Sequence, residues 1–125
     1  YSSAMMVMRR SYIDRNREAA RNAMKAIVEG IHHYKANKEQ ALKVISKYMK
    51  IQDREVLEES FRAYDFALKP YPSKEYFELP IQEVARRDPK VLKENPERFA
   101  DSSLLKELDE SGFIDKLTRE YGLKK

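Results

Sequence analysis

The stretch AIVEGIHHYKANKEQALKVISKYM, residues 26–49, decides the class of fold. Apolar residues recur in it at steps of three and four, which is the spacing of one face of an α-helix. Asn37 interrupts this pattern, and Gln40 follows three residues later, a combination that predicts a helix end and a capping box for the next helix. The stretch therefore predicts two consecutive amphipathic helices.

The same periodicity extends outward and predicts a three-helix unit over residues 13–69. We expect helices over residues 14–36, 38–49 and 54–68, the last one capped by Asp53. The apolar stripe of the first helix is expected to comprise Ala20, Met24, Ile27, Ile31 and Tyr34. An interior glycine in this helix, Gly30, predicts a close approach of another backbone, and the short connections predict antiparallel packing.

Helical spacing also predicts which aromatic side chains enter the core. The residues expected there are Tyr34, Tyr48, Phe61 and Tyr64. In the second helix we expect Ala41, Leu42 and Ile45 to be buried, together with Tyr48 or Met49. These aromatic residues are therefore assigned to packing and not to a ligand site.

Residues 70–125 are predicted to form a proline-rich connector followed by C-terminal helices. All 5 prolines lie in residues 70–96. Ser73 is expected to cap a helix that Pro80 kinks or delays, because proline lacks a backbone donor. Short helices are predicted over residues 89–94 and 103–110, and a last helical stretch begins at Phe113 and ends at Gly122.

Residues 1–12 are predicted to be a strand or crossover segment, with a short strand over residues 4–8. A lone strand leaves its backbone groups unpaired, so it must pair with another part of the protein or with a second copy, giving a homodimer. We therefore expect a partial domain from a longer protein. The predicted fold class is mainly α, with five to six helices and one short N-terminal strand.

Composition excludes several kinds of site. The chain has no cysteine, so thiolate zinc sites, disulfides and cysteine nucleophiles are excluded. No stretch approaches the roughly 20 apolar residues of a membrane-spanning helix. The adjacent pair His32 and His33 points in directions about 100° apart on a helix, so the two rings cannot bind one metal ion together. We expect both to be exposed or partly packed, and we predict no metal, no cofactor and no enzymatic activity.

Positive charge is concentrated in the first part of the chain. Residues 1–50 carry 11 basic and 4 acidic side chains, whereas residues 51–125 carry 14 basic and 17 acidic ones. An arginine-rich start can bind an anion, but the interleaved acids Asp14 and Glu18 favour a solvated, internally paired helix face. The positions of most interest are Arg9 and Arg10, at the expected strand end, where α/β proteins hold ligands.

Six pieces of sequence, taken in order, resemble the C-terminal part of solute-binding proteins of ABC transporters, of the nitrate, sulfonate, taurine and thiamine-precursor type. The resemblance spans almost all of the 125 residues. The pieces are VMRRSYIDRNRE (7–18), AIVEGIHHYKANKE (26–39), ALKVISKYMK (41–50), EVLEESF (55–61), PYPS (70–73) and FADSSLLKELDESGFID (99–115).

This resemblance implies a two-lobe α/β fold of the type II periplasmic-binding-protein class, of which the chain would supply the C-terminal helical portion. It implies a small organic or anionic solute clamped between the lobes, an ABC permease as partner, and a periplasmic or extracytoplasmic location, lipid-anchored or soluble. The positions expected on the ligand side are Ser3, Arg9, Arg10 and Ser11.

Two other functions are open alternatives at this point. A free-standing helical module would bind nucleic acid or a protein partner through the basic residues 9–25. The net charge of +4 is modest, so we expect no nucleic-acid partner. A thiamine-precursor enzyme would need a cysteine-rich motif and an active-site histidine. The chain has no cysteine, and neither histidine can be matched to that role.

Overall fold

The computed structural model describes residues 6–124, and this part of the chain is mainly helical, as predicted. Seven α-helices lie within the described residues: α1 (Arg10–Arg15), α2 (Arg17–Ala36), α3 (Lys38–Met49), α4 (Arg54–Ala63), α5 (Glu75–Ala85), α6 (Ser103–Glu110) and α7 (Phe113–Glu120). Two short 3-10 helices, Pro89–Lys93 and Pro96–Phe99, connect α5 to α6. None of the described helices has the length and apolar character needed to cross a membrane.

The predicted N-terminal strand is wrong over the residues that the structure describes. Residues 4 and 5 of that strand lie outside the described part, and residues 6–9 have no regular secondary structure. Met8 packs instead against the apolar cluster of Ile13, Ala20 and Leu104. Partial burial of this side chain holds the described part of the segment against the helices.

The first predicted helix is in fact two helices that meet at Asn16. This residue leaves the helical region, with φ −133° and ψ 44°. Its backbone N–H and its side-chain amide both donate to the carbonyl of Tyr12, at 2.8 and 3.1 Å. An asparagine side chain competes with regular helix hydrogen bonds in this way, and the competition ends α1.

The main core lies where α2 meets α6 and α7. Val28, Leu105, Leu108, Ile114 and Leu117 form its buried cluster. The buried positions of α2 are Ala20, Val28 and His32. The predicted stripe is therefore partly wrong, because Ile27 is 40% exposed. Because α2 contacts both α6 and α7, its buried residues follow a row spaced by four along the helix. Such a row runs at an angle to the helix axis.

A second, smaller core joins the end of α2 to α3 and α4. Leu42, Ile45 and Leu57 are its buried residues, with Tyr34 and Phe61 packed against them. The predicted burial of Tyr48 or Met49 is wrong, since these side chains are 74% and 48% exposed. Tyr64, which was also assigned to the core, is exposed. Its backbone has φ −91° and ψ 62°, and it ends α4 five residues earlier than predicted.

Three further predictions concern local backbone features. The Asp53 cap is confirmed, because its carboxylate accepts the N–H groups of Glu55 and Val56 at 2.9 and 3.1 Å. The capping box at Asn37 is wrong, because this side chain donates back to the carbonyl of His33. A close approach at Gly30 is also wrong, since a Cβ placed there meets no atom within 4 Å.

Between Leu57 and Leu104 none of the side chains whose burial is described is buried, and residues 70–100 make up most of this stretch. Among the described helices, those that contact α5, which contains Pro80, are the two 3-10 helices. Its apolar residues are half-buried or exposed, and Leu79 and Val84 have exposures of 47% and 52%. This segment therefore presents an apolar surface that the described part of the chain leaves uncovered.

Candidate functional site

The residues expected on the ligand side lie at the start of α1. Arg9 is the N-cap of this helix, and Arg10 and Ser11 form its first turn. All three are exposed, and none of them lines the pocket between α3 and α4 or the one beside α7. Ser3 lies outside the described residues. The side chains of Arg9 and Arg10 are thus open to solvent, where each can bind an anion.

Charges close to this surface are already balanced within the chain. Arg17 on α2 forms an ion pair with Glu107 on α6, and its guanidinium also donates to Ser103 at 3.2 Å. The hydrogen bond to Glu107 raises the pKa of Arg17. The pKa of Asp101 is lowered by hydrogen bonds from Ser103 and, less strongly, by the positive charge of Arg10.

His32 is not exposed as predicted but is completely buried between α2 and α7. Its Nδ1 lies 2.8 Å from the carbonyl oxygen of Val28, and its Nε2 lies 3.0 Å from the hydroxyl of Thr118. Because a carbonyl only accepts, Nδ1 must carry a proton. The ring therefore links two helices through the core, while its neighbour His33 is exposed.

Thr118 is also among the lining residues of an open cavity of about 460 Å³. It lies between α7 and the segment that follows α4, and it contains Phe66 and Leu68 as its large apolar side chains. Its charged lining residues are Lys35, Asp65, Lys69, Asp115 and Lys124. The volume lies within the range of small-molecule sites, which is roughly 300–1,000 Å³.

Ion pairs hold the lysines of this cavity. Lys35 donates to the carboxylate of Asp65 at 2.5 Å and to the carbonyl of Phe66 at 2.7 Å. Lys69 contacts Asp109 at 2.5 Å and Asp115 at 3.3 Å. These pairings lower the pKa of Asp65 and raise the pKa of Lys69.

Tyr71 extends this network toward the connector. Its hydroxyl donates to the second oxygen of Asp109 at 3.0 Å. The pKa of Tyr71 is raised, first by loss of solvent and then by the hydrogen bond to Asp109. The network attaches residues 69–71 to α6 and α7, so it fixes one wall of the cavity.

This cavity is the feature that sequence reasoning missed. Its lining comes from α2, the segment after α4, α7 and the C-terminal end, which are far apart in the sequence. No motif spacing connects them. Its lining contains lysine donors and carboxylate acceptors, whereas the hydroxyl of Thr118 already contacts His32 and donates to the carbonyl of Ile114.

Among residues 6–124, no group of three or more metal-ligating side chains is placed to hold a metal ion. Comparisons with protein-family models, with curated proteins and with solved structures find no match to this chain.

Proposed function

We propose that this chain is the C-terminal segment of the solute-binding component of an ABC transporter. The ordered set of six sequence pieces supports this proposal, because it extends over nearly the whole chain. Five of the pieces contribute to helices of the structure, and the PYPS piece at residues 70–73 lies in the connector that follows α4.

The observation that carries the proposal is the uncovered apolar surface of residues 70–99. Exposed large apolar side chains there are Tyr71, Tyr76, Leu79, Val84, Leu92 and Phe99. A helix with apolar residues that its own neighbours do not bury is typical of an element that covers another part of a larger protein. In a two-lobe receptor, that part would be the lobe that precedes residue 1.

Under this proposal the chain binds and does not catalyse. A small organic or anionic solute would lie between the lobes, with Ser3, Arg9, Arg10 and Ser11 on its side of the cleft. Closure of the lobes would couple capture of the solute to docking on the permease, outside the cytoplasm. The exposed positions of Arg9 and Arg10 support this assignment, because a ligand must reach them.

The alternative, a nucleic-acid-binding module, has weaker support. It needs the arginines of residues 9–25 to be available to phosphates. The Arg15 Nε donates to the carbonyl of Ser11 at 3.0 Å, and Arg17 is paired with Glu107. These contacts orient two of the arginines toward the protein.

Cysteine labelling tests the proposal directly, because the chain contains no cysteine of its own. We would introduce Leu79→Cys into this chain and into the full polypeptide encoded by its gene, and measure the rate of reaction with a thiol reagent. Val44→Cys on α3, which has a similar exposure of 48% against 47%, is the matched control.

We expect Leu79→Cys to react quickly in the isolated chain and slowly in the full polypeptide, while Val44→Cys reacts quickly in both. Equal rates for Leu79→Cys in the two proteins would contradict the proposal. A second measurement is the thermal shift of the full polypeptide with nitrate, taurine and an aminopyrimidine, where Arg9→Ala with Arg10→Ala should abolish any shift.

A further inference from the structure

The outer side of α3 carries a group of side chains that the proposed function does not use. Lys43, Val44, Lys47 and Tyr48 lie at positions i, i+1, i+4 and i+5, which are neighbours on a helix surface. Lys50 follows at the C-terminal end of α3. We refer to these five residues as the α3 basic face, and all five are exposed.

Apolar groups on the α3 basic face are unusually open to solvent. Tyr48 is 74% exposed, the highest value for an aromatic residue in the described part of the chain. The Lys47 Nζ lies 5.3 Å from the centre of its ring. An amphipathic ring next to lysine side chains is the combination that favours a membrane–water boundary.

Within the described part of the chain, the charges of these three lysines are not balanced by ion pairs, whereas Lys35, Lys38, Lys106 and Lys116 each pair with a carboxylate. Between residues 6 and 124, no ion pair involves Lys43, Lys47 or Lys50. The nearby carboxylate of Glu39 is held by Arg54 at 2.7 Å. The α3 basic face therefore carries three uncompensated positive charges.

Lys50 adds a conformational argument. It has φ 58° and ψ 31°, and it is the one non-glycine residue with positive φ among the described residues. Glycine adopts this backbone conformation at lower cost. A lysine in this position places its positive charge at the C-terminal end of α3, beside the other lysines of this face.

We propose that the α3 basic face adsorbs to an anionic phospholipid surface. The lysines would contact headgroup phosphates, and the side chains of Tyr48 and Val44 would enter the boundary between headgroups and acyl chains. A lipid surface suits these side chains because it requires positive charge and apolar area but no matched shape. The inference does not depend on the transporter proposal.

Vesicle co-sedimentation tests the inference with the chain as it exists. We would compare vesicles of equal parts phosphatidylglycerol and phosphatidylcholine with vesicles of phosphatidylcholine alone. Lys43→Gln, Lys47→Gln and Lys50→Gln are combined in one variant. The matched control replaces three lysines paired with glutamates at 3.3, 3.7 and 3.6 Å, namely Lys38, Lys106 and Lys116, and so loses the same net charge.

We expect the parent to bind only the anionic vesicles and to dissociate at high salt. The face variant should lose about 100-fold in affinity, since each lysine near such a surface contributes a factor of roughly five. The control should stay close to the parent. Equal losses in the two variants, or tighter binding to duplex DNA than to vesicles at the same salt, would overturn the inference.

A fluorescent reporter locates the contact, because the chain has no tryptophan. Tyr48→Trp should shift its emission to shorter wavelength with anionic vesicles, whereas Tyr12→Trp, on the arginine-rich α1, should not. A shift of Tyr12→Trp alone would overturn the inference. Lys50→Gly gives a separate check, since it should raise the unfolding midpoint while it weakens vesicle binding.

Discussion

Apolar side chains occur both in the core around α2, α6 and α7 and in the segment of residues 70–99. They are buried in the core and half-buried or exposed in the segment. Leu105 and Ile114 in the core are 1% and 0% exposed, whereas Leu79 and Leu92 in the segment are 47% and 62% exposed. Both regions are helical. What distinguishes them is whether another element of the described chain lies over the apolar face.

This difference separates the residues that stabilise the chain from those that are available to a partner. Burial of apolar surface contributes about 25 cal/mol per Å², so the free energy of unfolding comes mainly from the core. The segment contributes little to it and leaves its apolar surface for contact with another part of a larger protein. Substitutions in the two regions should therefore have unequal effects.

The largest expected effect is that of Leu105→Ala. This substitution removes a fully buried side chain from the main core, and it should lower the free energy of unfolding by about 3 kcal/mol. Urea denaturation followed by circular dichroism measures the change. Leu79→Ala is the matched control and should change it by less than about 0.5 kcal/mol. A comparable loss in both variants would remove the distinction between the two regions.

The adjacent histidines give a second, smaller test within one helix. His32→Ala removes a buried ring and its contacts with Val28 and Thr118, and should cost about 2–3 kcal/mol. His33→Ala removes an exposed ring and should have little effect. Thermal unfolding of the two variants under the same conditions measures the difference. Similar midpoints would show that His32 does not link α2 to α7.

The smallest expected effect concerns Asp109, which attaches the start of the segment to α6. The hydrogen bond from Lys69 holds the pKa of Asp109 below its ordinary value of 3.8. A carboxyl group with a lowered pKa in the folded state stabilises that state at pH values above the pKa of the unfolded chain. This stabilisation is lost as the pH falls through the pKa that the group has in the folded state. Asp109→Asn should therefore lower Tm at neutral pH.

The same substitution should have progressively less effect on acidification below about pH 4, where the carboxyl group of the parent becomes protonated. Melting curves of the parent and of Asp109→Asn across this range measure the difference. Glu110→Gln, on the exposed side of the same helix, serves as the control. A difference in Tm that is independent of pH would show that the ion pair is not its cause.

Local sequence signals were sufficient for most of the helices. The bounds of α3 and α6 agree with the predicted ranges, and the Asp53 cap forms as expected. These features depend on neighbours within four residues, so the sequence contains the information for them. Asn37 and Asn16 show the limit of such signals. Each side-chain amide donates to the carbonyl four residues earlier and does not cap the helix that follows.

Burial, in contrast, depends on elements that are distant in the sequence. His32 is buried because Thr118, 86 residues later, lies over it. Tyr48 has helical spacing that suits a core position, yet no described element covers it. The cavity beside Thr118 was missed for the same reason, since its walls come together only after α2 and α7 have packed.

The break at Asn16 has a consequence for how the chain opens. Because α1 and α2 share no continuous run of helical hydrogen bonds across this residue, the first six-residue helix can detach without unwinding the second. Ile13 is the one residue of α1 that is buried. Amide protons of α1 should thus exchange with deuterated solvent well before those around Val28, and Arg10 would then be carried on a unit that moves independently of the core.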